Sequence, residues 1–278
     1  MPPPTSASLT TPDGTRLVYT DHDPRPRHPT ATPRPPTPPF VLLHGLAGHQ
    51  GEWDTLTARL LSDGHRVVTY DARGHGASTR TPPTTTRAAH VEDAVTLIEH
   101  LDLAPVTLLG QSLGGHTAML LTASHPHLVH SLILVEAGPG GPAPDLPTRI
   151  ATWLDSWPTP FTSLREAAAF LGHEAWTGTL EKRRDGWYPA FDRTTIIDTV
   201  AELATTAYWS EWSRITRPTL LVQGEHGTMR PDEPARMLAY RPDTKVVRIP
   251  EASHDVHLDQ PARLHEAIRT FVLDLDLA

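Results

Sequence analysis

Short apolar runs alternate with amphipathic stretches along most of the chain. Phe40 to Leu43 is uniformly apolar and is followed by a Gly-rich turn and a helix-like stretch from about Trp53 to Leu61. Arg66 to Tyr70 reads as the next strand, and Thr86 to His100 carries Val91, Val95 and Ile98 at helical spacing. Val106 to Gly110 predicts a strand, Leu113 to Ser124 a helix, and Ser131 to Val135 another strand. Apolar strands alternating with amphipathic helices, joined by Gly/Asp turns, suit a largely parallel sheet covered on both faces. The rhythm breaks at Gly138, where GPGGPAPDLP punctuates the chain, and from there to about Thr216 the pattern predicts helices without strands. Thr219 to Gln223 and Lys245 to Ile249 restore the strands, and a helix from about Pro261 to Leu273 follows. The expected architecture is an α/β core of residues 1–137 and 216–278 with a helical insertion at 138–215.

Two segments stand apart in composition. The loop at 21–39 holds eight prolines between Pro24 and Pro39, which disfavour helix and ladder hydrogen bonds and favour an extended, solvated path between two early strands. The insertion holds Trp153, Trp157, Trp176, Trp187, Trp209 and Trp212, six of the seven tryptophans. A small helical layer needs large side chains to build a core of its own, and some of these rings are expected to roof an apolar pocket as well.

Composition narrows the function. The 278 residues include no cysteine, which removes disulfides, thiolate metal sites and a Cys nucleophile. A net charge of −8 argues against a nucleic-acid partner, because neutralising phosphates requires a surplus of Lys and Arg. No apolar stretch is long enough to span a membrane, and the first residues, MPPPTSASLTTPDG, lack the basic and apolar regions of a secretory signal. A cytoplasmic protein is expected, with no membrane association. The chain shows neither a P-loop nor a dinucleotide fingerprint, and no H-E-x-x-H or comparable ligand set. His254 with His257, and His125 with His127, are too sparse to make a metal site, so neither metal nor cofactor is expected.

The strongest chemical signal is Gly110-Gln111-Ser112-Leu113-Gly114, a G-x-S-x-G string between a predicted strand and a predicted helix. In that context the serine sits on a sharp turn with its hydroxyl projecting above the sheet edge, and the helix N-terminus points its free N–H groups at the same spot. A plain helix N-cap serine is the simpler alternative. Three further segments follow strands: His44-Gly45-Leu46-Ala47-Gly48, Asp71-Ala72-Arg73-Gly74-His75-Gly76-Ala77-Ser78, and Ser253-His254-Asp255.

In this order, the four segments resemble the α/β-hydrolase fold superfamily, in its lidded epoxide-hydrolase, haloperoxidase and esterase-like branch. The resemblance covers about residues 8–137 and 217–275. It implies a mostly parallel eight-stranded sheet flanked by helices, with a helical cap inserted after strand 6. It also implies Ser112 as nucleophile, His254 as general base, and the backbone N–H groups of Leu46 and Leu113 as an oxyanion hole. Serine at the elbow argues against epoxide-hydrolase and dehalogenase chemistry, which in similar folds uses Asp there. His44 and His75 are expected to orient their loops.

The acid is where the chain departs from the pattern. Most of the superfamily places an Asp after the strand corresponding to Thr219–Gln223, in a G-x-x-D string, but here Gly224-Glu225-His226-Gly227 ends in glycine. The fold offers a second location, after the strand ending at Val135, and that place holds Glu136. A carboxylate is needed to fix the imidazole tautomer and stabilise the imidazolium. Glu136 is the first choice, with Glu225 and Asp232 as alternative acids. Asp255 adjoins His254 and is badly placed to reach its far ring nitrogen.

These residues support a cofactor-independent serine hydrolase acting on an ester, thioester or lactone through an acyl-enzyme. The same His and oxyanion hole could instead serve a lyase, cyclase, epimerase or perhydrolase, and a binding protein without turnover is the third reading. The aromatic insertion favours a small, apolar, uncharged substrate. Oligomeric state is not legible.

Overall fold

The computed structural model describes residues 5–24 and 37–277, so most of the proline-rich loop expected at 21–39 lies outside the described residues. Two antiparallel strands, β1 (Thr5–Thr10) and β2 (Arg16–His22), precede that loop. After it come β3 (Phe40–Leu43), α1 (Asp54–Ser62), β4 (Val67–Asp71), α2 (Arg87–His100), β5 (Val106–Gln111), α3 (Ser112–Ser124) and β6 (Val129–Val135). The eight-stranded sheet runs β1-β2-β4-β3-β5-β6-β9-β10, where β9 is Thr219–Gly224 and β10 is Lys245–Ile249. Only β2 runs against its neighbours; every pairing from β4 to β10 is parallel.

Residues along a strand point to opposite faces, and each face here is closed by helices. Val41 and Leu43 of β3, with Leu108, Leu132 and Leu134, pack with Val91 and Ile98 of α2 and Met119 and Leu121 of α3. Phe40 and Leu42 turn the other way, with Leu109, Ile133 and Val135, toward Leu56 and Leu60 of α1 and toward Leu264, Ile268 and Phe271 of the last helix. Burying each such side chain contributes about 1.5–3 kcal/mol, so the central strands are held from both faces.

Between β6 and β9 lie α4 (Leu146–Asp155), α5 (Leu164–Leu171), β7 (Leu180–Lys182), β8 (Trp187–Pro189), α6 (Arg193–Thr199), α7 (Ala201–Thr205) and α8 (Trp209–Arg214). The expectation of helices without strands is corrected here: β7 and β8 form a small antiparallel hairpin. Its strands are three residues each, too short to show alternation in the sequence. Trp157, Phe161 and Phe191 build a separate apolar cluster with Leu154, Ala167, Leu180 and Ile196, and Ala47 from the loop after β3 joins it. Trp209 and Trp212 pack instead in the main core beside α3, and the Trp212 indole N–H donates to the Met237 carbonyl at 3.0 Å. The chain continues through α9 (Glu233–Tyr240), a short α10 (Val256–Asp259) and α11 (Pro261–Asp276). Among the described residues no helix is long and apolar enough to cross a membrane.

Candidate active site

Ser112 is the first residue of α3, directly after β5, and its φ is +50°. A β-carbon disfavours that conformation, so the residue holds its place only because the strand and helix on either side determine it. The packing explains the flanking glycine: a Cβ on Gly114 would lie 2.3 Å from the Leu43 carbonyl oxygen and 2.4 Å from that of His44. The helix start is thereby drawn close against the end of β3, and the loop carrying Leu46 lies beside the turn carrying Ser112.

Two buried histidines fasten that loop. His75 Nδ1–H donates to the Arg73 carbonyl (2.8 Å), which leaves Nε2 to accept the Ala47 N–H (3.0 Å). His44 uses Nδ1–H on the Gly45 carbonyl (2.7 Å) and Nε2 to accept the Ala72 N–H (3.0 Å). Burial pushes both rings down, His44 to about 4 and His75 to about 3, so both are neutral and hold their tautomers. The segment around His75 is tied in turn by a bidentate pair, Arg73 Nε and Nη2 to the two Asp93 oxygens at 2.7 and 2.6 Å. With the Ala47 N–H engaged, no hydrogen bond occupies the Leu46 N–H among the described residues.

His254 lies in the loop between β10 and α10. Its Nδ1 faces the Thr228 hydroxyl at 2.8 Å and Glu136 Oε2 at 3.4 Å, which leaves Nε2 for another partner. No hydrogen bond joins that ring to Ser112 among the described residues, yet the two loops touch: the Gln111 amide donates to the His254 carbonyl at 3.1 Å. Glu136, like Ser112, follows a sheet strand with φ at +50°. Its carboxylate is buried and accepts the Gly224 N–H on Oε1 (2.8 Å) and the Thr228 N–H on Oε2 (2.7 Å). Burial pushes this carboxyl up, but the hydrogen bonds from His254, Gly224 and Thr228 outweigh it and hold the group below the usual range.

The missing Asp has a steric counterpart. A Cβ on Gly227 would lie 2.1 Å from Glu136 Oε1 and 2.3 Å from its carboxyl carbon, so the Glu136 carboxylate fills the space that a side chain at 227 would enter. The two alternative acids lie elsewhere. Glu225 is exposed and accepts the Glu251 N–H at 2.9 Å, a bond that holds its carboxyl low. Asp232 is exposed at the start of α9. Sequence reasoning missed Thr228, although it adjoins the position where an acid was expected. It also assigned nothing to Gln111 or Asp255, whose partners lie far along the chain. Among the described residues no group of three or more His, Asp or Glu side chains is arranged to hold a metal ion.

Residues 40–267, which include the turn of Ser112 and the loop of His254, match the model of a family described as the Alpha/beta hydrolase family. The chain belongs to this family. It is 28% identical over 255 residues to the sn-1-specific diacylglycerol lipase ABHD11 of Mus musculus, covering 84% of this chain and 81% of that one. A shorter stretch of 103 residues is 36% identical to a putative esterase/lipase of Haemophilus influenzae, covering 37% of this chain and 35% of the relative. Among solved structures, E-2-(acetamidomethylene)succinate hydrolase superposes with a TM-score of 0.82 over 96% of this chain and 99% of the other, at 21% identity, a likeness of fold. The protein is thus an α/β-hydrolase family enzyme with hydrolases among its relatives.

Proposed function

We propose that the protein is a serine hydrolase that cleaves an ester, thioester or lactone of an apolar, uncharged acyl group through an acyl-enzyme on Ser112. The observation that carries this reading is the His254 ring, whose Nδ1 faces a buried carboxylate while its other nitrogen is left for a partner. In the proposed cycle His254 Nε2 takes the proton from Ser112 Oγ as the oxygen attacks the substrate carbonyl carbon. The hydrogen bond between them forms as substrate closes the site. The resulting oxyanion is held by the N–H groups of Leu46 and Leu113, each worth about 3 kcal/mol of barrier. The imidazolium returns its proton to the leaving oxygen or sulfur, and a water then repeats the sequence on the acyl-Ser112. Glu136 holds the Nδ1–H tautomer and stabilises the imidazolium, while Thr228 shares the Nδ1 contact. Residues 138–215 act as the cap.

An apolar substrate is favoured because Leu46, Trp153 and Trp176 are only partly buried where they pack on the insertion's apolar cluster. A fluorophosphonate probe tests the nucleophile. Labelling should map to Ser112 and vanish in Ser112→Ala, and a folded wild-type protein that takes no label would refute the reading.

A further inference from the structure

Asp255, the neighbour of His254, makes contacts that the proposed mechanism does not use. Its Oδ2 accepts the indole N–H of Trp176 at 3.0 Å, and its Oδ1 accepts the Gln111 amide at 3.3 Å. One carboxylate thus joins the strand end before Ser112, the loop of His254 and the insertion. Trp176 belongs to a 3-10 segment, Glu174–Thr179, that is seated a second way. The Thr179 hydroxyl donates to the Ala47 carbonyl at 2.8 Å. His49 Nδ1 accepts the Gly51 N–H, so its Nε2–H donates to the Ala175 carbonyl, also at 2.8 Å. The segment therefore bridges the loop of His254 and the loop after β3, and the Trp176 indole has Trp153 edge-on at 6.3 Å.

We propose that Asp255 is a positioning residue and Trp176 a specificity-determining wall: the carboxylate fixes the indole so that its apolar surface bounds the acyl chain of the substrate. This rests on the hydrolase reading above. A tryptophan held at its N–H by a charged acceptor keeps one orientation and offers a rigid apolar face. The same two hydrogen bonds engage both oxygens of the part-buried Asp255 carboxylate and so fix its orientation.

The test is a series of p-nitrophenyl esters from acetate to octanoate on the full-length protein. Trp176→Phe keeps an aromatic ring, removes the donor and trims the apolar face. It should raise KM for the octanoate about tenfold, the scale of one hydrogen bond to a charged group, with kcat and the acetate reaction within about twofold. Asp255→Ala should shift the profile the same way, and the double variant should lose less than the sum of the two single losses, because the shared hydrogen bond is removed only once. A profile unchanged in Trp176→Phe, or a kcat loss uniform across chain lengths, would overturn the proposal. If Asp255→Ala does not fold, Trp176→Phe alone decides. Two readouts separate this from failure of the hydrolase reading: probe labelling of Ser112, and the Trp176 indole N–H resonance on addition of 1-octanol. No labelling with a resonance that still shifts removes the hydrolase reading and keeps the apolar wall. Labelling with a resonance unmoved by 1-octanol removes the wall.

Discussion

Glu136→Gln isolates the carboxylate beside His254. The glutamate accepts on both oxygens: Oε1 from Gly224 N–H, and Oε2 from Thr228 N–H with His254 Nδ1 at 3.4 Å. A glutamine offers one acceptor and one donor. If its oxygen faces Thr228 and His254, its NH2 opposes the Gly224 N–H; if reversed, it opposes Thr228 and the Nδ1–H. Either orientation sets donor against donor in a buried site, at a cost of about 1–3 kcal/mol. In the proposed cycle the larger effect is on the barrier, since the His254 imidazolium would lose its counter-charge. In serine proteases the corresponding amide substitution lowers kcat roughly 10^4-fold. Here the Thr228 hydroxyl, 2.8 Å from Nδ1, still orients the ring. We therefore expect a fall of about 10^3-fold, near 4 kcal/mol of barrier. The assay is kcat on a p-nitrophenyl ester, with circular dichroism to show that the fold persists and Glu225→Gln as the parallel variant. Retention of activity within tenfold in Glu136→Gln, or an equal loss in Glu225→Gln, refutes the assignment.

Two further expectations rest on packing and burial. Gly227→Ala places a methyl 2.1 Å from Glu136 Oε1, so the carboxylate must shift, and its contact with His254 is expected to be disturbed. Activity should fall at least about tenfold with less than about 1.5 kcal/mol lost in urea unfolding, and unaltered kcat would show that the two positions do not compete. Stability should also drop on acidification. Burial lowers His44, His75 and His257 to about 4, 3 and 4, and holds His90 and His116 well below their usual value. Each folded pKa lies below the unfolded one, so the unfolded chain binds more protons below about pH 6.5 and stability is lost as pH falls. Buried Glu52, raised to about 8, and Asp93, raised to about 6, oppose this, and Asp54 shifts in the same direction, because the folded state keeps their protons; the five histidines outnumber them. Urea midpoints should fall between pH 6.5 and 5, and more gently in His90→Leu; a flat midpoint would contradict the burial argument.

Much of this molecule is legible in linear order. Strand-forming runs such as Phe40–Leu43 and Val106–Gln111 are contiguous, and so is the string around Ser112, because strand, turn and helix start are local properties of the backbone. The parallel sheet and the family follow from them. The short hairpin of β7 and β8 escapes because three residues are too few to carry a period, and Trp209 and Trp212 go to the main core because composition does not say which surface a ring meets.

Which carboxylate lies by His254 is a tertiary matter. Glu136 and Gly227 are far apart along the chain, and only the parallel pairing of β6 with β9 sets one where the other lacks a side chain. The Thr228 hydroxyl on His254 and the Asp255 contacts with Gln111 and Trp176 are of the same kind. A hydrogen bond needs its two atoms about 3 Å apart, and no local pattern encodes that distance between segments brought together only by folding.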